Sequence, residues 1–499
     1  MKSSTLHLHT SFKIGEVDAR IFGGFLEHLG RAVYDGVYNP SSALADEFGC
    51  RRDVQDALRR LQFTAMRYPG GNFVSGYHWR DAVGPREQRP KVRDIAWQSI
   101  ETNEFGSNEF LDLCGRMGWT PMMAVNLGTG TPEEALNWLE YCNVEGGSKW
   151  ADLRREHGYE KPHDVKLWCL GNEMDGPWQI GHVPAEQYAI LAQQTSRMMK
   201  MCDPTVELVA CGSCTDDLPT YLEWDRKVLE HVYDEVEYLS LHRYVGNHKG
   251  DSQEYLAVTN SVDDQIEATN ALCVSMYHQR RAKRRVHLSF DEWNIWYRAR
   301  HGEHLDGKGK FAPPLLEEQY NLEDALVAAG FLNSFIRHAD SVKIANLAQI
   351  VNVIAPIFTR GDQMLLQSIF YAFEMYSRRR DGVSLRTHIE GPGYKTARYG
   401  AVDYIDSSAI LNGDQLSVFL VNRDLEAPAE VHVRLGDGNV RELVSAEFLT
   451  GKEPNATNTF ESPHAVSSCD HDDICIKDGV ATISLPPMSV YAGTLRIER

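Results

Sequence analysis

The sequence predicts an α/β chain: a (β/α)8 TIM barrel followed by an antiparallel β-sandwich. Three observations carry this expectation. Between residue 20 and about 350, eight short apolar runs alternate with segments of helical spacing. From about 384 the helical spacing disappears, and short alternating runs are separated by turn residues. Polar residues collect at the C-terminal ends of the apolar runs, the rim on which such barrels build their sites. An open doubly wound sheet competes, but it would carry a Gly-rich phosphate loop after an early strand. Pro69-Gly70-Gly71 lacks that spacing.

Residues 1–14 alternate around Leu6, Leu8 and Phe12 and predict one strand outside the repeat, free to pair with the C-terminal domain. The first barrel strand is expected at 21–26. A helix at 53–61 follows, with Val54, Leu58 and Leu61 on one face. The second strand, 63–67, runs into the Pro-Gly-Gly turn, and a long loop rich in Arg, Pro and Trp spans 75–105. Ser107 suits the N-cap of a helix at 107–118 that Gly118 stops. The third strand covers 121–126, with a helix at 131–141. The fourth covers 165–170, with a helix at 184–201 that Asp203-Pro204 breaks. The fifth and sixth strands fall at 206–211 and 236–241, and a helix covers about 261–280. The seventh strand is 286–290, at the head of the stretch 286–294. A long loop at 298–320 and a helix at 323–338 lead to the eighth strand, 342–347. A helix ending near 378–380 closes the barrel. Runs at 415–421, 430–435, 442–449, 481–485 and 490–497 make the sandwich, and 462–478 reads as a polar loop. The expected domains are a barrel at 15–380 and a sandwich at 381–499 joined by the strand 1–14.

A chain of 499 residues with 42% hydrophobic side chains builds a large core without staples. The formal net charge of −19 opposes a nucleic-acid partner, because such binding rests on Lys and Arg neutralising phosphates. The N-terminal stretch lacks the apolar core of a secretory signal, and no window holds 18 uninterrupted apolar residues. A cytoplasmic protein without membrane contact is expected. The ten cysteines are scattered and read as reduced core thiols. Cys211-Gly212-Ser213-Cys214 has redox or zinc spacing but no second ligand pair. His7, His9 and the cluster Asp470-His471-Asp472-Asp473 offer ion ligands, although a solvated loop is the stronger reading of the cluster. The chemistry reached below requires no cofactor or metal.

The strand ends then take their places on one rim. The first ends in Glu27-His28, the second in Arg67 ahead of Asn72, and the third in Asn126. The fourth ends in Asn172-Glu173, the sixth in His242-Arg243-Tyr244, the seventh in Asp291-Glu292-Trp293-Asn294 and the eighth in Gln349. The fifth, near Gly212-Ser213, is the weakest. Any one of these has a bland reading, since polar residues mark the exit from a core. Glu173 and Glu292 stand apart because each follows an apolar run abruptly. Two glutamates on one rim suit the hydrolysis of a glycosidic bond: one protonates the leaving oxygen, the other attacks the sugar carbon or activates water. Trp79, Trp97, Trp178, Trp293 and Trp296 fall in loops of the same face, where flat rings either stack on sugars or pack beneath the loops.

The chain resembles glycoside hydrolase family 51, the α-L-arabinofuranosidases. Gly171-Asn172-Glu173 is similar to the acid/base motif of the wider clan of barrel glycosidases, and Asp291-Glu292-Trp293-Asn294 to its nucleophile motif. Arg67-Tyr68-Pro69-Gly70-Gly71-Asn72, the run from Trp97 to Gly106, Asn126-Leu127-Gly128-Thr129-Gly130, His242-Arg243-Tyr244 and the run from Ala345 to Gln349 extend the match. The resemblance implies a retaining, exo-acting α-L-arabinofuranosidase, with Glu173 as acid then base and Glu292 as nucleophile. It implies that Glu27, Asn72 and Gln349 bind furanose hydroxyls and that Asn172 bonds the 2-hydroxyl. Trp97 and Trp296 would wall the pocket, while Arg67, His242 and Tyr244 hold Glu292 and shape the site. Its substrates would be arabino-oligosaccharides and fragments of arabinan or arabinoxylan, and its assembly a homohexamer. An endo-β-glucanase or β-xylosidase on the same scaffold, and a non-catalytic sugar-binding barrel, remain alternatives. An open cleft would favour endo action, and a pocket closed by the loops 75–105 and 298–320 would favour exo action.

Overall fold

A computed structural model describes residues 2–472 and 474–499. Eight parallel strands close into a barrel in sequence order: Gly23–Phe25, Ala65–Tyr68, Thr120–Ala124, Leu167–Leu170, Glu207–Ala210, Tyr238–Val245, His287–Ile295 and Val342–Ala348. The eighth strand pairs with the first, Asn346 opposite Gly23. The short apolar runs form strands because both faces are covered, by helices outside and by side chains within. All four residues of the fourth strand are buried, as are all four of the second.

The first strand starts later than expected. Ala19–Phe22 is a 3-10 turn that Asp18 caps by accepting the backbone N–H of Arg20 at 3.0 Å. The strand itself begins at Gly23, where any Cβ would stand 2.1 Å from Asn346 Oδ1. Close approach of the eighth strand therefore demands glycine here, against its weak strand preference. The helix Ser107–Met117 is capped at Gly106, not Ser107. The Ser107 hydroxyl instead accepts the Trp138 indole N–H at 3.1 Å. Among the described residues, two α-helices of eight or more residues escaped the sequence reading, Lys149–Glu156 and Glu223–Val232, the second completing the repeat between the fifth and sixth strands.

The C-terminal region forms two packed sheets. The five-stranded sheet runs His388–Glu390, Lys2–Leu8, Ala429–Leu435, Val480–Leu485, Ile474–Lys477. The seven-stranded sheet contains Lys13–Glu16 at one edge and Ser467–Asp470 at the other. Pairing is antiparallel throughout except between Lys2–Leu8 and Ala429–Leu435. Strands Ser467–Asp470 and Ile474–Lys477 replace the loop expected at 462–478. They lie at sheet edges, so half of their side chains face water and no strong apolar pattern marks them. Leu322–Arg337 is buried from Leu322 to Ile336, because it packs on the barrel with one side and on the seven-stranded sheet with the other. Across that seam Asp406 accepts from Asn333 and Arg337, both at 2.8 Å, and Tyr376 stacks on Phe419.

His7 pairs with Glu390 at 3.2 Å and His9 with Asp437 at 3.4 Å. Asp473 of the acidic cluster lies outside the described residues. Among the described residues no helix is long and apolar enough to cross a membrane.

Candidate active site

The fourth strand delivers Glu173 through a sharp exit. Gly171 has φ 93° and Glu173 itself φ 42°, a left-handed conformation that non-glycine residues rarely adopt. Bonds on both carboxylate oxygens hold it there. Oε1 faces His242 Nδ1 at 2.9 Å, and Oε2 accepts the Trp178 indole N–H at 2.6 Å.

The seventh strand delivers Glu292 by a different device. In a regular strand, Asp291 and Glu292 would point to opposite faces. Here both reach Arg67: Nη1 donates to Glu292 Oε1 at 2.6 Å, and Nε lies 3.4 Å from Asp291 Oδ2. The register explains this. Ser240 opposes Ser289, yet His242 opposes Glu292; Phe290 opposes Ala345, yet Trp293 opposes Leu347. The seventh strand thus holds one residue more than either neighbour over this stretch, a bulge that turns both acids inward.

Glu292 completes its shell with the Tyr244 hydroxyl, which donates to Oε2 at 2.7 Å. Arg67 also donates to Asn172 Oδ1 at 2.8 Å and stacks over Phe25. Burial opposes the guanidinium charge, but Asp291 and Glu292 outweigh it and keep Arg67 protonated well beyond its ordinary range. Gly71 closes against this group. A Cβ there would stand 2.9 Å from Glu292 Oε1 and 3.3 Å from Glu27 Oε2, so only glycine leaves both carboxylates room.

Glu27 gathers the other side of the floor. Its carboxylate accepts from Trp97 Nε1 (2.9 Å), Phe73 N (3.0 Å) and Gln349 Nε2 (3.1 Å). Burial, then the neighbouring Glu292, push its carboxyl up to about 7. Trp97 is placed by Asp94, which accepts the backbone N–H groups of Ala96 and Trp97 at 2.9 and 3.0 Å.

These residues open into a cavity of about 420 Å³, a size suited to small ligands. Of the residues singled out from sequence, Glu27, Asn72, Trp97, Glu173, Trp178, Tyr244, Glu292, Trp296 and Gln349 line it. Arg67, Asn172 and His242 are buried behind the two glutamates. Asn126 lies elsewhere: its side chain bonds Tyr77 and the backbone of residues 128–130, so it builds a turn. Trp79 packs with Trp138 and Trp150, and Trp293 with Phe331 and Phe335, both beneath the surface. The fifth strand end, expected to be weak, supplies Cys214, Thr215, Asp217 and Leu218 to the wall. Arg300, Leu305 and Leu316 come from the loop 298–320. That loop is joined to the Trp97 loop by backbone bonds: Gly307 N to Trp97 O (2.9 Å), Gly309 N to Gln98 O (2.7 Å) and Ile100 N to Lys310 O (2.9 Å). The thiols of Cys211 and Cys214 are free, and burial raises both above the ordinary thiol range.

Two glutamates on the C-terminal rim of a closed (β/α)8 barrel, converging on one pocket, define a barrel glycosidase. Comparison with known proteins narrows the class. A family model for the α-L-arabinofuranosidase 1 domain matches residues 57–255, and one for the α-L-arabinofuranosidase C-terminal domain matches residues 291–489. The intracellular exo-α-(1→5)-L-arabinofuranosidase 1 of Bacillus subtilis is 44% identical, over 98% of each chain. The exo-α-(1→6)-L-arabinofuranosidase of Bifidobacterium longum is 40% identical, over 98% of this chain and 96% of its own. The solved structure of a family 51 α-L-arabinofuranosidase from Bifidobacterium longum superposes with a TM-score of 0.95 at 36% identity, covering 99% of this chain and 100% of that one. The chain belongs to glycoside hydrolase family 51, the α-L-arabinofuranosidases.

Proposed function

We propose that this protein is a retaining, exo-acting α-L-arabinofuranosidase. The observation that carries the mechanism is a distance. A carboxylate oxygen of Glu173, a carboxylate oxygen of Glu292 and a ring nitrogen of His242 all lie within 4.8 Å of one another. Retaining glycosidases hold their carboxyl groups roughly 5–5.5 Å apart, whereas inverting ones leave about 6.5–9.5 Å for a water. Glu292 attacks the anomeric carbon as Glu173 protonates the departing oxygen, and the glycosidic C–O bond breaks. Water then enters, gives its proton to Glu173 and releases Glu292 from the ester. Glu27, Asn72 and Gln349 bind furanose hydroxyls, Trp97 and Trp296 wall the sugar, and Asn172 bonds the 2-hydroxyl. Arg67, Tyr244 and His242 hold the carboxylates.

Exo action follows from the joined loops. The backbone bonds between 97–100 and 307–310 wall the pocket on one side, which suits a chain end better than a chain passing through. The substrates are arabinofuranosyl oligosaccharides and fragments of arabinan or arabinoxylan. The intracellular names of relatives support a cytoplasmic enzyme, and the family resemblance supports a homohexamer, which sedimentation velocity would test.

The decisive experiment is hydrolysis of p-nitrophenyl α-L-arabinofuranoside by the wild type and by Glu292→Ala, with azide added to the variant. An inactive variant that azide restores, forming an inverted arabinosyl azide, supports Glu292 as nucleophile. A wild type that ignores this substrate but cleaves a β-glucan or β-xyloside would refute the substrate assignment.

A further inference from the structure

The imidazole of His242 sits where the two glutamates meet. Its Nδ1 lies 2.9 Å from Glu173 Oε1 and 3.7 Å from Glu292 Oε2. Its Nε2 lies 3.2 Å from Ser240 Oγ and 3.5 Å from Asp291 Oδ1. The ring is buried, with 2% of the residue exposed. Glu173 faces it from the fourth strand's exit, Asp291 and Glu292 from the seventh strand, and Ser240 and Tyr244 share its own strand. Arg67 stands beyond Asp291 and Glu292, in contact with both. Burial alone would expel a proton from the ring. Glu292, Asp291 and the hydrogen bond to Glu173 outweigh that and push His242 up to about 10. Asp291 is itself held below its ordinary range, since Arg67, His242 and Ser240 outweigh its burial. The bulge that turns Asp291 inward thus supplies the ring with an anionic neighbour besides Glu292.

We propose that His242 is a positioning residue that stays an imidazolium throughout the cycle, a fixed cation past which negative charge moves from Glu292 to Glu173 and back. This rests on the roles given above to the two glutamates. In the first half-reaction Glu292 loses its charge to the ester bond while Glu173 gains one by giving its proton to the leaving oxygen. The second half-reaction reverses both changes. One N–H set between the two oxygens serves the anion in either state without moving the ring. It also bears on which oxygen of Glu173 is the acid. Both oxygens face a donor, but the cationic Nδ1–H on Oε1 opposes a proton there more strongly than the neutral Trp178 indole does on Oε2, so the transferable proton belongs on Oε2, at the pocket wall. A neutral ring with its proton on Nε2 would offer a lone pair to Oε1 and draw the acidic proton away from the leaving group.

The test is nitrogen NMR of the whole protein labelled at histidine, together with pH–rate profiles of His242→Gln and His242→Asn. The chain has 19 histidines. One doubly protonated ring persisting at about pH 8.5, roughly two units above an ordinary histidine, is expected in the wild type and absent from both variants. If no ring stays charged at that pH, the proposal is overturned, whether or not the variants fold. In kinetics, loss of the cation is expected to lower kcat/KM by on the order of 10²-fold. It should also move both limbs of the pH profile upward, because a carboxyl beside one fewer cation binds its proton more tightly. A fall in rate with both limbs in place would mean packing alone and would also overturn it. The NMR signal does not depend on activity, so it separates this proposal from the glutamate roles, which the azide experiment tests.

Discussion

Arg67→Met removes the guanidinium that Glu292 and Asp291 share. The side chain is fully buried and touches Glu292 at 2.6 Å, Asn172 at 2.8 Å and Asp291 at 3.4 Å. Methionine replaces the stem but offers no donor. At an effective dielectric near 20, a unit charge about 4 Å away is worth about 4 kcal/mol. That corresponds to roughly three pH units in proton affinity at about 1.4 kcal/mol each. One of the two carboxyls left behind should therefore take a proton near neutral pH. The acid limb of kcat/KM should climb by about two to three pH units, so the rate at neutral pH should fall. Breaking a buried pair also costs about 3–5 kcal/mol of stability, readable by urea unfolding. Arg67→Lys restores the charge without the fork and should recover part of the limb shift but little of the Asn172 bond. A Met variant with an unmoved acid limb would refute the claim that the charge of Arg67 sets that limb.

Two further outcomes follow from groups away from the reacting centre. Trp79 packs against Trp138, Trp150 and Tyr141, so Trp79→Ala should cost about 3–5 kcal/mol of stability while leaving KM nearly unchanged at temperatures where it is folded. A large rise in KM with little loss of stability would return Trp79 to the sugar site. His163 is pushed down to about 4, by burial and then by Arg154. Its contribution to stability is full above 6.5, the unfolded value, and is lost as pH falls towards 4. The gap is worth at most about 3 kcal/mol, and less because the ring is partly exposed. His163→Gln should flatten the difference in urea stability between about pH 7.5 and 4.5; an unchanged difference would place the acid sensitivity elsewhere.

The barrel was legible because buried parallel strands are short apolar runs, and all eight fall on or beside their expected places. The first is shortened to three residues within its expected span, and its start is a glycine that the approach of Asn346 demands, a contact no local pattern encodes. Glu223–Val232 was also encoded, since Trp224, Val228, Leu229 and Val232 share one buried face, but its charged remainder resembles a loop. The carboxylate pair was legible because each acid ends an apolar run. What the sequence could not disclose was the bulge at Asp291. A bulge is a mismatch between strands, and its count depends on neighbours some 50 residues away in either direction. The aromatic residues divided for a similar reason. Trp97 and Trp79 both lie in the long second loop, and only tertiary packing sends one indole to Glu27 and the other beneath the surface.

The same bulge ties the geometry of the site to its charge. Four carboxyl groups, Glu27, Glu173, Asp291 and Glu292, crowd the pocket floor with two cations, Arg67 and His242. A regular strand would have turned Asp291 outward, leaving three acids to two cations and removing the group that Arg67 and His242 share. With Asp291 inside, the balance is met only if the carboxyl groups retain protons between them. Glu27, at about 7, holds one for part of the time, and the glycosidase reading assigns another to Glu173. On the roles proposed above, a carboxyl proton is kept beside a Glu292 bound to a guanidinium, which suits its delivery to a leaving group. The extra residue in the seventh strand therefore sets the charge balance around the two glutamates by bringing Asp291 inside.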